Sequence, residues 1–254
     1  MGSLLVPDFI PSPIQDAETL RKSFKGHFLG LGTDEKAIIT VLGHRDERQR
    51  KKIKEAYQQL YNKSLIDDLH SELSGDFRKA VILWTHDPPE RDARLANEVL
   101  NSWIHDVTRL QVIVEIACAS TPDHLVSVRQ TYCALFGCSL EEDIIAHVSL
   151  PVQKDIANCG EGLLESILKV VIWCINSPEK HFAEVVKVST DGLGTNEDSL
   201  SRAIVTRAEI DMIKVKEEYL KMKDTALEYA VADDTSGHYR EFLMTLLGAN
   251  DSSL

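Results

Sequence analysis

Residues 24–38 read FKGHFLGLGTDEKAI, and residues 190–200 read TDGLGTNEDSL. In the first stretch three glycines fall within seven positions and run into the three-to-four spacing of an amphipathic helix, Ile38, Val41 and Leu42. The second stretch repeats it after a shift of 162 residues. That shift carries Gly30 to Gly192, Gly32 to Gly194, Thr33 to Thr195 and Glu35 to Glu197. It also carries Arg45 to Arg207, Tyr57 to Tyr219, Leu65 to Leu227, Glu72 to Asp234 and Gly75 to Gly237. No gap is needed from 30 to 77, so the chain is internally repeated.

A third, degenerate copy lies between them. A shift of 75 takes Ile38, Val41, Ile53, Tyr57, Leu65 and Asp68 to Ile113, Ile116, Val128, Tyr132, Leu140 and Asp143. Further on, LWTHDPPER and IWCINSPEK align at 89, with Trp84 on Trp173, so the middle copy holds 14 extra residues. Helical periodicity dominates and no stretch alternates as a strand. The spacing predicts an all-α protein of repeats with about five short helices each.

The glycine loop has two readings. A helix N-terminus with exposed N–H groups suits a phosphate, but a P-loop needs Lys after its last glycine and here Thr and an acid follow. Glycine equally permits positive φ, which turns carbonyl oxygens outward, and carbonyls with a carboxylate form a hard-oxygen shell suited to Ca²⁺. An acid recurs at one interval: Glu72 follows Thr33 by 39 residues and Asp234 follows Thr195 by 39. A lone Gly-x-Gly is usually a turn, whereas the paired occurrence favours a cation.

Composition narrows the partners. The 254 residues are 43% hydrophobic and 27% charged, with a formal net charge of −12, which argues against unassisted binding to nucleic acid or anionic lipid. The start, MGSLLVPDFIPSP, has no basic region and is read as no secretory signal. Gly2 invites myristoylation, but Val6 stands where that motif wants Ser or Thr. Cysteines 118, 133, 138, 159 and 174 are odd in number and lack metal-type pairing, which suits reduced thiols in the cytosol.

GLGTDE with SELSGDF, GLGTNE with DTSGHY, and TRAEIDMIKVKEEY resemble the annexin family; FKG and LWTHDPPERDA resemble its plant members. The resemblance spans about Gln15 to Gly248. It implies five-helix repeats whose loops bind Ca²⁺ and bridge to anionic phospholipid membranes, with no enzymatic site. Carried over by position, one site comprises Phe28, Gly30 and Gly32 with the Glu72 carboxylate. The other comprises Thr190, Gly192 and Gly194 with Asp234. The implied protein is cytoplasmic, reversibly peripheral at membranes and stress-related, and self-association stays open.

The chain departs from that pattern. It supports three repeats instead of the usual four: an N-terminal tail at 1–14, a first repeat at 15–88, a hybrid of repeats two and three at 89–178, and a fourth repeat at 179–254. In the hybrid, His105, Val107 and His147 replace Gly30, Gly32 and Glu72, so no site of this type is expected there. A deletion joined near Lys154 and Asp155, by splicing or an erroneous gene model, accounts for it. The first loop also carries four extra residues, and Phe28-Leu29-Gly30 can stand in for Phe24-Lys25-Gly26.

Two other classes stay open, a helical interaction scaffold without calcium function and a protein with weak peroxidase activity through His44. Cys118 and Cys174 match two cysteines given a redox role in plant annexins, though buried cysteines are usually inert packing. Trp84 and Trp173 are expected in the core. The basic stretch RDERQRKKIKEAY mixes in acids at helical spacing and reads as a solvated face.

Overall fold

The structure, a computed structural model, describes residues 1–25, 32–102, 107–147, 163–192 and 194–249. Among the described residues are fifteen α-helices and no strand. In order they are α1 (Pro13–Ser23), α2 (Glu35–Leu42), α3 (Glu47–Tyr61), α4 (Leu65–Glu72), α5 (Gly75–Thr85), α6 (Pro88–Leu100), α7 (Val107–Cys118), α8 (Pro122–Phe136), α9 (Leu140–His147), α10 (Leu163–Asn176), α11 (Pro178–Thr190), α12 (Glu197–Arg207), α13 (Met212–Lys223), α14 (Leu227–Asp234) and α15 (Gly237–Leu246). Helices α4 and α14 keep the 162-residue register at both ends, and α2 and α5 keep it with α12 and α15 at their starts.

Local chemistry sets many of the boundaries. Ser12 and Gln15 form a capping box ahead of Pro13 at the start of α1, and Asp46 with Gln49 forms another at α3. Asn62 and Gly137 end α3 and α8 in the left-handed conformation. The copy of α3 starts late for a readable reason. Ala208 stands where Asp46 caps α3 and has no acceptor, and the Asp211 carboxylate is held by Arg207 at 2.7 and 2.6 Å, so α13 begins only at Met212.

The chain forms two compact units: Met1–Asp87 with Phe182–Leu254, and Pro88–His181. In the first unit the two like repeats pair through equivalent helices. α5 packs on α12, and α2 packs on α15, which is the same contact after the 162-residue shift. Trp84 anchors this core, 1% exposed; its Nε1 donates to Leu42 O at 2.7 Å and the Arg50 guanidinium stacks 3.6 Å from its ring centre. Arg50 in turn reaches Glu209 of the later copy at 2.9 Å. The first residues are tied down here too. Ser3 N donates to Ala208 O at 2.7 Å and Ser3 Oγ to Leu246 O at 2.6 Å. A Cβ on Gly2 would lie 2.5 Å from Ala208 O, so packing alone accounts for that glycine.

The second unit has α6 against α7, α8 and α9, and α7 against α10. Ala93, Ala96, Leu100, Val112, Ile116, Val128, Tyr132 and Leu140 form its core. It keeps a polar contact of the first repeat at the 75-residue shift. Tyr57 OH donates to Asp68 at 2.6 Å, and Tyr132 OH donates to Asp143. Burial, then the neighbouring aspartate, pushes both phenols well above the ordinary tyrosine value.

Trp173 departs from the core expectation. It is only half-buried, and the Lys169 and Lys180 ammonium groups sit 4.4 and 5.4 Å from its ring centre where Trp84 has the protein interior. Buried Cys174 faces inward on the same helix, and burial raises the Cys118 thiol, which disfavours the reactive thiolate.

Candidate functional site

The two acid corners are built alike. Glu72 is the last residue of α4 and Asp234 the last of α14. Each helix turns at once into the next, which starts at Gly75 or Gly237. Opposite each corner the loop glycine has positive φ, +87° at Gly32 and +105° at Gly194, with open space where a Cβ would stand. Glycine is therefore needed for backbone conformation and not for room. The next-but-one residue caps the following helix, Asp34 accepting from Ala37 N at 3.0 Å and Asn196 from Ser199 N at 3.1 Å.

Threonine closes each corner across the 39-residue interval. Thr195 Oγ1 lies 2.8 Å from Asp234 O and 3.3 Å from Asp234 Oδ2. Thr33 Oγ1 lies 3.3 Å from Glu72 O and 3.4 Å from Glu72 Oε2. The structure thus brings Gly32, Thr33 and Glu72 to one place, and Gly194, Thr195 and Asp234 to another. Phe28 and Gly30 lie outside the described residues, as do His105 and Cys159. Thr190 ends α11 half-buried and Gly192 is exposed.

The two loops differ in tethering. Asp34 N donates to Ser23 O, eleven residues back, and Asn196 N donates to Ser189 O, seven back, each at 2.9 Å. The connection is four residues longer in the first copy, the insertion read from the sequence. Counted from the helix side, Phe24 matches Thr190, and Phe24 is buried with its ring 6.2 Å from that of Tyr57. The later loop has a further clasp: Lys223 Nζ grips both Asp191 carboxylate oxygens at 2.7 and 2.9 Å. That bond raises Lys223 above the ordinary lysine value, so the clasp stays charged.

Glu72 and Asp234 line one cleft of about 360 Å³ in the first unit, together with Glu35, Asp76 and Glu197. Lys79 spans from Asp76 to Asp198, with Nζ–O distances of 3.4 and 2.9 Å. Among the described residues neither Glu72 nor Asp234 has a basic partner, and no three His, Cys, Asp or Glu side chains converge as a metal cluster. A cation held here would take one carboxylate and main-chain oxygens, a donor set that suits Ca²⁺. Sequence reasoning missed the Lys223 clasp and the shared cleft; neither has a motif, since Lys223 and Asp191 stand 32 residues apart in helix and loop. His44 Nδ1 sits 3.2 Å from Thr40 O at the end of α2.

An all-helical repeat protein with glycine–threonine loops closed by distant acids is thereby defined. A family profile described as annexin matches residues 15–84 and 181–246. Annexin D3 of Arabidopsis thaliana is 42% identical, with 98% of this chain and 99% of that protein covered. Annexin-like protein RJ4 of Fragaria ananassa is 36% identical, with 93% and 96% covered. Among solved structures, chicken annexin V gives a TM-score of 0.85 at 26% identity, covering 98% of this chain and 99% of that one. A point mutant of annexin A8 with an intact N-terminus gives 0.84 at 26%, covering 98% of each. The chain belongs to the annexin family. Annexins as a class are soluble proteins that bind phospholipid membranes peripherally and in a calcium-dependent manner. No helix among the described residues is long and apolar enough to cross a membrane. The alignment to annexin D3 runs over 323 positions, so at least 69 of them have no counterpart among the 254 residues of this chain.

Proposed function

We propose that this chain binds anionic phospholipid membranes when Ca²⁺ rises, through two type II sites: Phe28, Gly30, Gly32 and Glu72 in the first repeat, and Thr190, Gly192, Gly194 and Asp234 in the last. The observation that carries the reading is the twin closure of a positive-φ glycine loop by threonine onto an acid 39 residues away. Bound there, Ca²⁺ supplies open coordination positions for lipid phosphate oxygens.

The protein's own groups account for the gating. Without the cation, Glu72, Asp234 and the net charge of −12 repel an anionic surface. One carboxylate per site gives low ligand charge and weak intrinsic affinity. Both acids lie in one compact unit, so two weak sites act together and gain by multivalency. We read the chain as cytoplasmic, as three repeats with a hybrid middle one, and as a binding protein without a catalytic centre.

Co-sedimentation with phosphatidylserine vesicles, with Ca²⁺ and with chelator, tests this beside a Glu72→Ala/Asp234→Ala double variant. Calcium-dependent pelleting that the double variant loses is the expected result. Absence of pelleting from a folded protein overturns the reading and favours a helical scaffold.

A further inference from the structure

Cys133 and Cys138 are free thiols at one corner of the second unit, where α8 turns into α9. Gly137 makes the corner. Its φ is +75°, its N–H donates to Cys133 O at 3.0 Å, and open space lies where a Cβ would stand. A helix that ends on a left-handed residue folds the chain back over its last turn. The residue just beyond the cap then commonly packs against the one five positions earlier. Here those two residues are Cys138 and Cys133. Cys133 is exposed, and Cys138 is half-buried against the core of the unit. Burial first, then the charge and hydrogen bond of Asp143, then Glu142 and Cys133, raise the Cys138 thiol above the ordinary cysteine value.

The corner occurs in all three copies. Asn62 and Asp224 take its place at φ +51° and +53°, and their N–H groups donate to Gln58 O and Leu220 O, each at 2.9 Å. The flanking pair is Gln58 and Lys63 in the first copy and Leu220 and Thr225 in the last. The backbone therefore does not require sulfur there, and the middle copy alone carries it on both sides of the turn. In the first copy Lys63 Nζ lies 3.7 Å from Asp68, the counterpart of Asp143, so this position addresses the same acid in both.

We infer that Cys133 and Cys138 form a dithiol oxidation site, which closes to an intrachain disulfide by exchange with a small-molecule disulfide. The exposed Cys133 Sγ, as thiolate, attacks one sulfur of the reagent. The reagent's S–S bond breaks, one thiolate leaves, and a mixed disulfide stays on Cys133. Cys138 gives up its proton to solvent and attacks Cys133 Sγ, expelling the second thiolate. Two cysteines are oxidised, one disulfide is reduced to two thiols, and the two cysteine protons end on those thiols. Asp143 and Glu142 favour the protonated Cys138, so closure is the slow step and quickens as pH rises.

The test exposes the full chain to oxidised glutathione at about pH 7 and about pH 9, with acid quench, alkylation and peptide mass spectrometry. Tryptic peptide 130–154 holds these two cysteines and no other. A glutathione adduct on this peptide should appear first, then a form lighter by two hydrogens than the reduced peptide and closed to alkylation, sooner at the higher pH. Cys138→Ser should stop at the adduct, and Cys133→Ser should form no bridge. Asp143→Asn keeps an oxygen for the Tyr132 hydroxyl and should speed closure about threefold or more at neutral pH, an effect that packing alone would not give. Circular dichroism verifies the helices of each variant. An adduct that never closes, a bridge to a cysteine outside the peptide or to a second chain, or closure indifferent to Asp143→Asn overturns the proposal.

Discussion

Helices α5 and α10 are copies of one element, yet they live differently. In the first unit α5 has a second repeat to lean on, so Trp84 is enclosed, hydrogen-bonded to Leu42 O and stacked under Arg50. In the second unit α10 packs mainly on α7, and Trp173 finishes half in solvent beneath two lysines. The loops follow the same division. Both Thr–acid corners belong to the first unit, and at the matching acid position of the second stands His147, its Nδ1 3.0 Å from Asp143 O. Repetition of a helical pattern therefore preserves the element, while pairing of repeats decides whether it becomes core.

The sharpest way to break that contrast is to truncate both tryptophans. Trp84→Ala should cost about 3–5 kcal/mol, the range for emptying a packed aromatic site. Trp173→Ala should cost about 1 kcal/mol or less, the scale of an exposed cation–π contact. Equal losses in urea unfolding would show that the two environments do not differ as described.

Next in size is a buried charge in the second unit. Burial alone would raise Asp92, but the Arg91 guanidinium at 2.8 Å and His124 at 2.7 Å hold its carboxyl below the usual range. Removing the charge with Asp92→Asn should destabilise the protein by about 3 kcal/mol at neutral pH. Because the folded pKa is depressed, this contribution is complete above the ordinary value of about 3.9 and fades as pH falls through the lower folded value. Thermal melts should show the gap between variant and parent closing below that range; a gap constant down to strong acid would exclude the pair as its source.

The two loops can be separated in the same spirit. The later one has the shorter connection, the closer threonine bond and the Lys223 clasp. Asp234→Ala should raise the calcium needed for half-maximal vesicle binding by about tenfold, and Glu72→Ala by about threefold. The reverse order would mean that loop tethering does not set affinity. Smallest is Thr195→Val, which removes one hydroxyl bond worth about 0.5 kcal/mol and should raise the calcium requirement about twofold. Thr33→Val, with the longer bond, should do less in the same titration.

Much of this was legible in the residues. The shift of 162 fixes the repeat and the 3.6-residue apolar spacing fixes the helices, because both patterns run along the chain itself. Even the pairing of Thr33 with Glu72 was suggested by an interval that occurs twice. Tertiary structure alone decided that the threonine hydroxyls reach those acids, that Glu72 and Asp234 share a cleft, that Lys223 holds Asp191, and that Trp173 is not the equal of Trp84. Each of these depends on which surfaces meet in space. A periodic pattern shows that a helix has an apolar face; it does not show whether another helix is there to cover it.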